Sequence, residues 1–190
     1  MLAITDYPKA PDLSQYEIQP GLLCRHPKQD ASTSNPWNYT RDQLLPMIAG
    51  LHKQGHIDVV RRVFWSHAKR CFFCQNFEEG LPGTTKRFPD FADPLAPNHI
   101  GALILAGNFW YLYWFLPIAC LFLVLDLFIR NHNEQNQTVA VCYLYGQWAM
   151  RLYRWARPDW VRLNQVYWND QMQPEYTFLI MDLVTKEKRA

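Results

Sequence analysis

Residues 100–125 read IGALILAGNFWYLYWFLPIACLFLVL, with no charged side chain among them. A window of about 19 residues centred near Ile118 averages roughly 1.8 in hydropathy, the level at which a transmembrane segment is read. About 20 apolar residues suffice to cross the hydrocarbon core of a bilayer. Trp110, Tyr111, Tyr113 and Trp114 cluster as an interfacial aromatic belt would. Against this stand Asn108, Pro117 and Asp126, which interrupt or flank the run. The flanks are weakly charged, Asp93 on one side and Arg130 and His132 on the other, so no positive-inside asymmetry orients a span. A helix that is apolar all round is also what the middle of a soluble helical domain contains. The expectation is two helices, from Asn98 to about Gly107 and from Phe109 to Arg130, wrapped by neighbouring helices. Insertion of residues 100–125 into a membrane is the alternative.

The neighbours needed for such wrapping are legible on both sides. Thr40 and Gln43 have capping-box spacing, and Leu44, Leu45, Ile48 and Leu51 follow at helical intervals until Gly55. Pro46, inside this run, is expected to kink or delay the helix. Asp58 opens a second helix on which Val60, Val63, Phe64, Cys71 and Phe72 form one apolar stripe. The two make a helical hairpin around a Gly-containing turn. A further helix is expected from about Glu134 to Trp155, ended by Pro158, and a short one after Asp159. Residues 77–98, rich in proline, read as a long loop. No alternation of β-branched residues and no Asn-Gly turn appears, so the fold class is all-α, built of antiparallel helical hairpins.

The chain of 190 residues suits one domain with an arm. Its 49% hydrophobic and 15% aromatic content excludes global disorder, and a net charge of +2 favours neither a nucleic-acid-binding nor an acidic tail. Five cysteines argue against a secreted disulfide scaffold, and Met1–Pro20 has no signal-peptide pattern. Residues 1–39, with prolines at 8, 11, 20, 27 and 36, form an extended proline-rich N-terminal arm, expected to pack on its own domain. Residues 40–170 form the helical domain, and 171–190 a tail or last helix.

Residues that carry chemistry are few. His67, Cys71 and Cys74 have part of a zinc-ligand spacing, but a second matching pair is lacking and Cys71 lies on the apolar stripe. Arg41 and Asp42 either line a pocket, with Asp42 as acid or base, or serve the start of a helix. Asp90, Asp93 and His99 add two carboxylates and an imidazole around the long loop. Arg151, Arg154, Arg157 and Arg162 alternate with Trp148, Trp155 and Trp160, a pattern suited to phosphate or lipid head groups, or to a solvated helix end. No phosphate-cradling loop, nucleophile elbow or metalloprotease helix occurs, and no cofactor is expected.

Five segments, NPWNYTRDQLLPMIAGLHKQG (35–55), FWSHAKRCFFCQN (64–76), DPLAPNHIGALILAG (93–107), WYLYWFLP (110–117) and Leu125-Asp126-Leu127, together resemble a loosely defined group of uncharacterised phage and prophage proteins. The Arg41-Asp42-Gln43 opening of a helix that ends in glycine is similar to hairpin openings in (α/α) toroid glycoside hydrolases and lyases. The resemblance implies a partial α/α toroid of about three hairpins and a place in a bacterial virus. The expected function is therefore a non-enzymatic virion or virion-associated assembly protein, located in the virion or in the host cytoplasm during assembly. Its partners would be other virion proteins or a second copy, with no specific nucleic acid. One alternative is a carbohydrate-binding or carbohydrate-active protein acting on a polysaccharide through Arg41, Asp42, Asp93 and His99. The other is a membrane-inserting phage protein.

Overall fold

A computed structural model of the chain describes residues 11–24, 41–73, 94–128 and 135–158. Three quarters of these residues are helical, and a small two-stranded sheet accompanies the helices. Helix α1 (Arg41–Lys53) contains Pro46, which is buried within it and neither shortens nor delays its start. Gly55, at φ 83°, reverses the chain into α2 (Ile57–Ala68). Pro97 occupies the first position of α3 (Pro97–Ala106), where its missing N–H loses no hydrogen bond. Asn108, at φ 53°, turns the chain into a 3₁₀ segment (Trp110–Phe115) continuous with α4 (Leu116–Phe128). Pro117 thus stands in the first turn of α4 and starts the helix rather than interrupting it.

The long helix expected over 134–155 is two helices, α5 (Gln135–Tyr145) and α6 (Gln147–Ala156). They break at Gly146, whose φ of 90° and ψ of −167° are open only to glycine. Helix α3 is the centre of the domain and meets α1, α2, α4 and α5, while α1 also packs along α5. Leu44, Leu45, Ile48, Leu51, Val60, Val63, Leu103, Ile104, Val141 and Cys142 make one continuous apolar core. At Gly101 an added Cβ would overlap the Tyr145 hydroxyl and come within 2.6 Å of the Ala119 Cβ. Only glycine lets α3, α4 and α5 approach this closely. Gly101→Ala should therefore cost about 1–3 kcal/mol of stability, read as a fall in the urea midpoint.

The described part of the arm lies on its own domain. Leu13–Tyr16 form one 3₁₀ turn, and β1 (Glu17–Gln19) pairs antiparallel with β2 (Leu22–Leu23). The Arg62 guanidinium of α2 donates to both Glu17 carboxylate oxygens, at 2.8 and 2.6 Å, and to Asp58 at 2.8 Å. Burial raises the Glu17 carboxyl, but the hydrogen bonds from Arg62 and the Gly21 amide outweigh it and hold the group below its ordinary value. Gly21 turns at φ 78° with its Cα against α2, and a Cβ there would sit 2.5 Å from the Arg62 carbonyl oxygen. Gly21→Ala combines left-handed strain with that overlap, about 2 kcal/mol or more. It should lift the arm, seen as lost hydrogen-exchange protection at the Cys24 amide, which donates to Tyr16 O. The remaining arm residues, the Thr40 cap, the helix expected after Asp159 and the tail 171–190 lie outside the described residues.

The uncharged run is divided in two. Its first half behaves as expected: Gly101, Ala102, Leu103, Ile104, Ala106 and Phe109 are buried. Its second half does not. Trp110–Phe128 has a mean hydropathy of 2.0, yet only 17% of it is buried. In α4 Ala119, Leu123 and Leu127, spaced four apart, are buried, with Leu116 and Cys120 partly buried against the core beside them. Ile118, Leu121, Phe122, Leu125 and Phe128 face out. Among the described residues, then, neighbouring helices wrap the first half of the run and leave most of the second half uncovered. Among the described residues α4 packs along α3 and meets α6, so the side of the helix turned to α3 is covered and the opposite side is not.

Candidate functional site

Two features are candidates, a buried polar cluster at the start of α3 and the open face of α4. In the cluster, the Arg41 Nη1 points to Pro94 O at 3.5 Å, and its charge reaches the His99 ring. His99 Nδ1 accepts from the Ala96 amide at 3.2 Å, closing the first turn of α3. In a neutral ring the proton then sits on Nε2, 3.0 Å from the side-chain amide of Gln137 on α5, which must turn its oxygen rather than its nitrogen to the ring to accept that proton. Burial, aided by the Arg41 charge, lowers His99 to about 3, so the ring is neutral. Beside it, Asn98 Nδ2 donates to Asp126 Oδ2 of α4 at 3.1 Å, and the Tyr145 hydroxyl donates to Asn98 O at 3.0 Å. Burial pushes the Tyr145 hydroxyl well above its ordinary value, so it remains a donor.

Of the sequence candidates, the structure brings Arg41 and His99 together. The side chain of Asp42, and Asp90 and Asp93 entirely, lie outside the described residues. His99 is 2% exposed and hydrogen-bonded at both ring nitrogens. A general base must reach a substrate proton; this imidazole instead clasps α3 to α5, as Asn98 clasps α3 to α4. Gln137, Asn98 and Tyr145 belong to no motif in the sequence. Two polar residues at 98–99, opening an otherwise apolar helix, were the available signal.

His67 is buried, its Nδ1 donates to Val63 O at 2.8 Å, and burial lowers it to about 4. It sits four residues beyond Val63 and so belongs to the core side of α2, which the apolar stripe alone did not reveal. Cys71 is not on that stripe: α2 ends at Ala68, and Cys71 and Phe72 adopt φ of 55° and 61°. That left-handed turn leaves Cys71 exposed and folds Phe72 back onto Phe64, ring centroids 5.4 Å apart. Cys74 lies outside the described residues. Among the described residues no three His, Cys, Asp or Glu side chains are grouped to hold a metal ion.

The second candidate is the face of α4. Six 3₁₀ residues and thirteen α residues extend it to about 30 Å. Trp110 and Trp114, 74% and 75% exposed, stand at its first end. At the other end Phe128 meets Trp155 of α6 edge-on, with centroids 6.0 Å apart. Trp148, Arg151 and Trp155, at spacings of three and four, share one exposed side of α6. Arg157, in contrast, is buried. The apolar face is therefore continued by an aromatic and basic stripe. No family model, curated protein or solved structure matches this chain.

Proposed function

We propose that this chain is a non-enzymatic, membrane-associated protein of a bacterial virus that engages the bilayer through the outward face of α4. One observation carries the membrane part. A surface helix of a soluble domain turns polar residues outward, whereas Ile118, Leu121, Phe122, Leu125 and Phe128 all face out on α4. Covering a Leu, Ile or Phe side chain is worth about 1.5–3 kcal/mol. Five half-exposed ones represent several kcal/mol that an apolar surface would recover. The viral setting is supported by the sequence resemblance.

The connection of α1 to α2 through a turn at residues 54–56 supports antiparallel hairpins in a partial α/α toroid. The carbohydrate-active reading draws less support, because His99 is sealed and neutral. The assembly reading, in which virion proteins or a second copy cover α4, competes for the same face. Liposome flotation of the purified chain, paired with sedimentation in plain buffer, separates the two. The membrane reading expects the chain to rise with vesicles. A chain that stays below them and sediments as a discrete oligomer overturns it in favour of assembly.

A further inference from the structure

Resting on the membrane reading, we infer that the chain lies in the plane of one leaflet and does not span the bilayer. In this pose α4 sinks to the acyl boundary, and the Trp148–Arg151–Trp155 stripe of α6 grips anionic head groups. The occupant is lipid rather than protein on chemical grounds. The outward side chains Ile118, Leu121, Phe122, Leu125 and Phe128 carry no hydrogen-bonding atom. A protein interface makes about one hydrogen bond per 100–200 Å², while a hydrocarbon surface asks for none.

The fold sets the in-plane pose. Helix α4 is held along its length by Ala119, Leu123 and Leu127 in the core and at its end by the Asn98–Asp126 bond. To stand upright it would have to carry α3 and α5 with it. These have 10 and 11 residues, about half of what a crossing needs. Helix α2, packed against α3, exposes Asp58, Arg61 and Lys69. A helix backed by a polar domain lies flat, sinking about 5–10 Å. The exposed tryptophans fit this pose: Trp110 and Trp114 at one end, and Trp155 beside Phe128 at the other, mark head-group depth at both ends of the face. Exposed Arg151, between Trp148 and Trp155, supplies the charge that complements an anionic leaflet, in a chain of net charge +2.

Depth-dependent quenching tests the pose on the full chain. Environment-sensitive dyes are attached through Trp114→Cys, Leu121→Cys or Phe128→Cys in a background carrying Cys71→Ser, Cys74→Ser and Cys120→Ala. Each variant is first shown to melt as the parent does. Vesicles contain phosphatidylcholine and phosphatidylserine in equal parts, with lipids brominated near the head group or near the chain ends. All three dyes should be quenched most by the shallow bromines. Deep quenching at 121 alone would mean a span and overturn the in-plane pose. Flotation without quenching at any position would remove α4 from the membrane and overturn it as well. Failure to float at all would instead remove the membrane reading beneath it. Arg151→Gln should weaken partitioning onto the anionic vesicles about fivefold and leave phosphatidylcholine vesicles unaffected. Equal loss on both, or no loss, overturns the head-group assignment.

Discussion

Leu123→Asn should destabilise the chain severely, whereas Leu121→Asn, two residues earlier on the same helix, should leave its melting temperature nearly unchanged and weaken its flotation with vesicles. Leu123 is fully buried between α4 and the core. Its replacement removes a whole apolar side chain and leaves an amide among apolar neighbours, a combined loss of about 4 kcal/mol or more. That is much of the roughly 5–15 kcal/mol by which a domain of this kind is stable. Leu121 is 56% exposed, so an amide there stays hydrated and the fold is nearly indifferent. In a bilayer the same amide must shed its water, and a further Leu125→Asn should take flotation below detection. Thermal melts and flotation of the same preparations check both halves. If Leu121→Asn floats as the parent does, α4 is not the membrane-engaging element.

The chain should also lose stability well above the pH at which carboxylates titrate. His67 and His99 are neutral in the fold, lowered by burial to about 4 and about 3 from an ordinary value of 6.5. Above 6.5 neither the folded nor the unfolded chain holds a proton on these rings, and their contribution is fully present. As pH falls below 6.5 the unfolded chain takes up protons that the folded chain refuses. Stability then drops by up to about 1.4 kcal/mol per pH unit for each ring. The loss continues until the folded rings themselves titrate, near 4 for His67 and near 3 for His99. Urea midpoints measured from neutral pH down to about 5, where carboxylates are still ionised, isolate the histidine effect. His99→Gln should be less stable at neutral pH yet show a shallower decline on acidification. A wild-type profile flat across that window would refute the buried, neutral state.

Much of the local structure was legible because proline, glycine and apolar period act over a few residues. Gly55 ends the first hairpin helix, a helix expected from Asn98 forms within one residue of that start, and Leu44, Leu45, Ile48 and Leu51 enter the core. The errors have equally local causes. Pro46 suggests a disturbed α1 but is accommodated within it, and residues 134–155 read as one helix although Gly146, at positive φ, divides α5 from α6. Cys71 fits a helical stripe only if α2 continues a turn beyond Ala68, where it ends. Of the candidate site, Arg41 and His99 are legible in the sequence, but nothing there pairs His99 with Gln137, 38 residues along the chain. A hydrogen bond between distant residues leaves no mark in either neighbourhood.

The order of amino acids by itself determined that residues 100–125 form helices and that their side chains avoid water, since both follow from covalent geometry and transfer free energy. Only the tertiary structure decided which of those side chains are covered. Leu121 and Leu123 are the same residue in nearly the same local sequence, and α3 lies beside one and not the other. Hydrophobicity states that a side chain gains by being buried, but the packing of the helices chooses which row receives a neighbour. Here they leave the outward row of α4 without one among the described residues.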